Sequence, residues 1–314
     1  MDHTELRSRV RGPLLAMPIM YKKDLSLDYG AIERHTQWIL EAGITCLCTT
    51  YVYSQVDQIT ARENLELTRR IAGVVGNRAI FFASTRAESA GAIGVVNGLL
   101  DAGAHGVLIM PSVFLATGDG SLFVRFIRDV AERCRGPVLL FAVHNSHAAR
   151  PEPHILPEQF AELTACPNFI GLKEDFNSVP YRLQLIRRYG TRLCIFGGGT
   201  LRNYLQVHHY PCQAELEDAF APRYSMRWLK LLDEGRYLDA LRMFEQIEQA
   251  HIQIPGLYFT ARNAVYLYAM GFGESWLTRS PLASATPEQA KTIIDHMKRH
   301  ETFFETPNAT FRNV

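Results

Sequence analysis

Nowhere in this chain does an apolar run approach the ~18 residues that a bilayer-crossing helix needs, so no membrane span is expected. Neither sign of charge prevails. Thirty-three basic residues face 32 acidic ones, a formal net charge of +1, so nothing argues for a polybasic face for nucleic acid or anionic lipid and a small molecule is the expected partner. Cysteine is sparse as well: Cys46, Cys48, Cys134, Cys166, Cys194 and Cys212 are scattered and mostly sit inside apolar runs, as reduced core thiols do and a disulfide framework does not. The segment from Met1 to Arg11 is charged and has no apolar signal stretch, so a cytoplasmic location is expected. Zinc spacing is missing too. Cys46 and Cys48 would share one strand face and His208 and His209 would point apart, and neither pair has partners at a recognised interval.

What is present is alternation. Strands are expected at Pro13 to Pro18, Ile44 to Thr50, Ala79 to Ala83, Gly106 to Met110, Pro137 to Val143, Phe169 to Lys173, Arg192 to Phe196 and, more weakly, Cys212 to Leu216. Between them the spacing predicts helices at Tyr29 to Ala42 (capped by Asp28 and stopped by Gly43), Ala61 to Val75, Ala87 to Leu100, Leu122 to Cys134, Pro157 to Ala165, Val179 to Tyr189 and Leu201 to Val207. Strict β/α alternation with short connections means a parallel sheet, and eight such units close most easily into a (β/α)8 barrel. An open doubly wound sheet would usually show a glycine-rich turn after its first strand, where this chain has Met17-Pro18-Ile19-Met20. Beyond residue 217 only helices are expected, near Ser225 to Glu234, Tyr237 to His251, Thr260 to Ala269 and Pro287 to Lys298. The expected organisation is a barrel over 12–224, a helical extension packed on it over 225–300, and a tail over 301–314.

The most informative stretch is Asn168-Phe169-Ile170-Gly171-Leu172-Lys173-Glu174-Asp175, a doubly buried strand that ends in a lysine. The carboxyl end of a barrel strand is where such folds keep their chemistry. A lysine desolvated there gives up its proton more readily and becomes an amine able to form a Schiff base with a ketone. The alternative is a surface lysine just past a strand.

These features together resemble the dihydrodipicolinate synthase and N-acetylneuraminate lyase family of class I aldolases, over roughly residues 12 to 300. The likeness is carried by Pro18 with Leu27-Asp28 and a helix ending Glu41-Ala42-Gly43, by Asp101-Ala102-Gly103-Ala104-His105-Gly106-Val107 followed by Met110-Pro111, and most specifically by Ile170-Gly171-Leu172-Lys173-Glu174. The resemblance implies a lyase that holds pyruvate or a longer 2-keto acid as an imine on Lys173 and catalyses aldol cleavage, condensation or dehydration. It implies no metal, no organic cofactor and a homo-oligomer, a dimer or tetramer. It also implies that Thr49 and Thr50 bind the keto-acid carboxylate through hydroxyl and backbone donors, although two threonines at a strand end are also ordinary β-formers.

The departures from the family pattern are as telling. Thr50 runs into Tyr51-Val52-Tyr53-Ser54-Gln55 where the family has glycine and glutamate, so a bulkier lid is expected. The family's proton-shuttling tyrosine on strand five aligns with Phe141, and its second tyrosine is missing from Pro111-Ser112-Val113-Phe114. Both argue against dihydrodipicolinate synthesis itself and leave a second reading open, a barrel that binds 2-keto acids without turning them over, as a sensor or scaffold.

A substitute proton carrier is expected in His144, with His147, Tyr51 and Tyr53 behind it, unless these are loop residues filling single hydrogen bonds. Glu215 and Glu217 share a face of strand eight. Inside the barrel one of them would pair with the Lys173 region or orient a substrate hydroxyl; in another register they, with Asp218, are solvated carboxylates at a helix start. Gly197, Gly198 and Gly199 offer space and N–H donors for a longer substrate, or simply a tight turn, and Arg150 and Arg182 are placed to clamp a second carboxylate or to sit on the surface.

Overall fold

The computed structural model describes residues 3–10, 12–50, 53–86, 91–110, 120–143, 155–175, 178–197, 201–216, 218–305 and 310–314. Eight parallel strands close in sequence order into a barrel: β1 Leu14–Ala16, β2 Cys46–Cys48, β3 Ile80–Thr85, β4 Gly106–Ile109, β5 Val138–Val143, β6 Phe169–Asp175, β7 Cys194–Gly197 and β8 Gln213–Leu216. The ring is sealed where Leu14 of β1 pairs with Glu215 of β8. The helices that return the chain are α2 Tyr29–Glu41, α3 Ala61–Val75, α4 Ala92–Asp101, α5 Gly120–Arg133, α6 Phe160–Thr164, α7 Val179–Tyr189 and α8 Leu201–Leu205. Four more helices follow the barrel: α9 Pro222–Asp233, α10 Tyr237–Ala250, α11 Phe259–Ala269 and α12 Pro287–Arg299.

Local chemistry sets the element ends. The Asp28 side chain accepts from the Ala31 N–H at the start of α2, and Gly43, at φ +92°, takes the left-handed turn that ends it. Thr60 and Glu63 form a reciprocal capping box on α3, and Ser178 caps α7.

Period-two alternation along each strand divides the core into two parts. Leu15, Leu47, Phe81, Val107, Leu140, Leu172 and Ile195 face the helices, while Leu14, Cys46, Cys48, Ile80, Phe82, Leu108, Leu139, Phe141 and Phe196 fill the barrel. Sequence reasoning missed one helix, α1 (His3–Arg9), which ends in contact with the barrel's interior: Leu6 and Val10 are buried in that inner cluster. A seven-residue helix bordered by charge has too short a period to read.

Between β6 and β7 there is no room for a side chain at residue 171. A Cβ added to Gly171 would lie 2.2 Å from the Cys194 carbonyl oxygen, a backbone atom with nowhere to go. Gly171→Ala should therefore force the two strands apart and destabilise the protein by about 1–3 kcal/mol, read as a fall in the urea midpoint. An unchanged midpoint would show that the strand pair can yield.

Candidate active site

Strand β6 runs two residues beyond the lysine, so Lys173 and Asp175 project from the same face, into the barrel, and Glu174 projects from the other. Lys173 is 2% exposed. Its Nζ donates to Asp175 Oδ2 at 2.7 Å, forms an ion pair with Glu215 of β8, and lies 4.0 Å from the centre of the Phe141 ring on β5. The structure thus brings Lys173, Phe141 and Glu215 together and adds Asp175, which sequence reasoning did not single out. The signal was available in the i, i+2 spacing, had the strand been extended past its lysine.

This geometry corrects the expectation that burial alone governs the amine. Burial does press the lysine towards its neutral form, but the Asp175 and Glu215 carboxylates and their hydrogen bonds outweigh it and raise the amine's proton affinity above that of an ordinary lysine. The resting side chain is an ammonium, and the Phe141 ring face suits that charge. Glu215 itself is 1% exposed, inside the barrel rather than solvated at a helix start.

The threonines after β2 are buried, but their backbone donors are already committed. The Thr49 N–H donates to the Phe82 carbonyl at 3.1 Å and the Thr50 N–H to Ser54 Oγ at 2.9 Å. Thr49 Oγ1 accepts from the Ser84 N–H and shares a hydroxyl contact with Ser84 Oγ, while Thr50 Oγ1 accepts from the Tyr53 N–H. Tyr53 and Ser54 thus bond back to Thr50, so what the two threonines have left to offer a carboxylate is hydroxyl protons, not main-chain amides. Tyr53 packs on Phe259 at the start of α11, ring centroids 5.2 Å apart, among the residues of the inner cluster.

Other expected site residues lie elsewhere. Arg182 is not a mouth clamp: it is fully buried in α7, its Nε 2.5 Å from Glu174 Oε2 on the outward face of β6. A Cβ on Gly197 would meet Val207 and the Arg182 side chain, so the space that glycine leaves opens towards the helices. Asp218 is buried against His251 at 2.9 Å. His208 and His209 do not point apart; their ring centroids are 3.7 Å from each other, beside Tyr237. His144, His147, Tyr51, Gly198, Gly199, Arg150 and Glu217 lie outside the described residues. Among the described residues no group of three or more His, Cys, Asp or Glu is arranged to hold a metal ion, and no helix is long and apolar enough to cross a membrane.

The sequence model of the Dihydrodipicolinate synthetase family matches residues 9–300. The chain belongs to that family. Its members are lyases, and the curated relatives include proteins named as a synthase and as a dehydratase. A 4-hydroxy-tetrahydrodipicolinate synthase from Mycobacterium leprae is 28% identical over 171 residues, 54% of this chain and 55% of the relative. A "Probable 5-dehydro-4-deoxyglucarate dehydratase" from Saccharopolyspora erythraea is 24% identical over 195 residues, 62% of this chain and 61% of the relative. The matched segments thus span little more than half of each relative's length. Among solved structures of the family, dihydrodipicolinate synthase from Oceanobacillus iheyensis superposes with a TM-score of 0.80 at 16% identity, over 96% of this chain and 100% of that one. The prophage protein YagE from E. coli K12, solved in complex with pyruvate, gives 0.78 at 17% identity over 93% and 99%. At such identities the likeness establishes the family fold and no particular substrate.

Proposed function

We propose that this protein is a pyruvate-dependent class I lyase that forms a Schiff base between Lys173 and pyruvate or a longer 2-keto acid. The observation that carries the proposal is the position of one amine: 2% exposed, inside a closed barrel, near the carboxyl end of β6, with carboxylates on two sides. An iminium at that nitrogen withdraws electrons from the neighbouring carbon, so the carbanion left when a C–C or C–O bond breaks is stabilised as an enamine. Aldol cleavage, condensation and dehydration all pass through that intermediate. The hydroxyls of Thr49 and Thr50 are the proposed contacts for the keto-acid carboxylate, and Phe141 walls the imine on the β5 side. His144, Tyr51 and Gly198 remain proposed substrate contacts on the strength of the sequence, whereas Gly197, which opens towards the helices, is not retained. A homo-oligomer is proposed from family membership alone.

Phe141 has no proton to give, which speaks against dihydrodipicolinate synthesis proper and in favour of a different member reaction. Turnover separates an enzyme from a 2-keto-acid-binding scaffold. The protein, incubated with a panel of 4-hydroxy-2-keto acids and, in the reverse direction, with pyruvate plus aldehydes, is expected to release or consume pyruvate with at least one of them. Tight binding of pyruvate with no turnover across the panel would favour the scaffold.

A further inference from the structure

Resting on the imine reading, the geometry points to Asp175 as the proton carrier of imine formation, with Glu215 held as the permanent counter-ion. Among the described residues, Phe141, Asp175 and Glu215 surround the Lys173 amine. Phe141 cannot exchange a proton. Cys48, further down the barrel, is fully buried, and burial pushes its thiol up, so it stays protonated and is no base.

The two carboxylates sit in different surroundings. Glu215 is sealed in the barrel interior at 1% exposure, where it balances the ammonium and then the iminium. Asp175 lies at the mouth end of β6 with its side chain 21% exposed; one oxygen holds the amine proton at 2.7 Å, and the other, Oδ1, has no hydrogen-bond partner among the described residues. A carrier needs one oxygen on the nitrogen and a second that is uncommitted, at the end of the barrel where substrate enters, and Asp175 has both.

The proton count closes without any outside acid or base. As the lysine nitrogen attacks C2 of the keto acid, Asp175 takes one ammonium proton, the C–N bond forms, and the carbonyl π pair moves to oxygen. Asp175 then returns that proton to the oxygen, giving a carbinolamine whose nitrogen still carries two protons and the positive charge. It next carries a second proton from nitrogen to the hydroxyl; the C–O bond breaks, water leaves, and the nitrogen lone pair completes the C=N bond. The ammonium has lost two protons, both are in the departing water, and the iminium keeps the positive charge opposite Glu215. A resting lysine that holds its proton firmly is on this scheme the store from which the water is made.

The test is the rate at which imine accumulates, read by mixing protein with pyruvate, quenching with borohydride at set times and measuring the reduced adduct by intact mass. Asp175→Asn should slow imine formation by about 10²–10⁴-fold. Glu215→Gln should lower the fraction trapped at equilibrium more than the rate of approach to it. Asp175→Ala should be slowed likewise and accelerated by added formate in a saturable way, which a purely structural aspartate would not show; the same variant also answers if asparagine at 175 impairs folding. A rate in Asp175→Asn within a few fold of the wild type, or no formate rescue of Asp175→Ala, would overturn the assignment while leaving the imine intact. A wild type that yields no adduct would overturn the imine reading and this assignment with it.

Discussion

Lys173→Arg is expected to reduce turnover to background while leaving the barrel folded. Guanidinium keeps its proton at any pH the protein survives, so it cannot attack a carbonyl. It nevertheless remains a cation between Asp175 and Glu215, and the two carboxylates keep a partner. Lys173→Met makes the contrast. With the ammonium gone, two carboxylates face each other across the barrel interior, and removal of one partner from a buried pair costs about 3–5 kcal/mol, less whatever the carboxylates regain by taking up protons. Activity should vanish in both variants, but only the methionine variant should lose substantial stability, measured as the shift in urea midpoint beside a pyruvate-release assay. Residual turnover above background in Lys173→Arg would remove the lysine from the chemistry.

The second large effect lies one residue along the same strand. Glu174 and Arg182 are both fully buried between β6 and α7, joined at 2.5 Å, on the face opposite the reactive amine. Arg182→Met leaves a buried carboxylate without its cation, and a loss of about 3–5 kcal/mol is expected. Replacing both, Glu174→Leu with Arg182→Met, should be much milder than the sum of the single changes, because the desolvation cost goes with the charges. The measurement is a double-mutant cycle on unfolding midpoints. Additive single effects would mean that the pair does not act as a unit. Because the pair holds the outward side of β6, the single variants should also disturb the position of Lys173 on the inward side.

Much of this architecture could be read from residues alone. The alternation of short apolar runs with helical periods indicated eight β/α units, and Asp28, Gly43, Thr60 and Ser178 stand where helix ends need them. Lys173 stood out because its strand motif is a local pattern. What could not be read was how separate strands meet. Glu215 lies 42 positions from Lys173, and only the closure of the ring, with β8 beside β1, fixes which of its faces turns inward. The same holds for Arg182: a helix residue's direction depends on packing, and the glutamate beside the lysine decided it. The proton balance of the amine is hidden from the sequence for the same reason. Desolvation can be inferred from a strand's hydrophobicity, but opposing carboxylates delivered by tertiary structure cannot, and here they win. The committed amides of Thr49 and Thr50 are likewise a product of loop folding that two adjacent threonines do not announce.

The central claim is that the Lys173 nitrogen becomes covalently bound to a 2-keto acid. Reduction of the protein with borohydride in the presence of pyruvate, followed by peptide mapping, addresses it directly. The account predicts a single reduced adduct on the peptide that contains Lys173, absent without pyruvate and absent in Lys173→Arg. An unmodified Lys173 peptide under those conditions, or an adduct that forms equally well on other lysines, would contradict it.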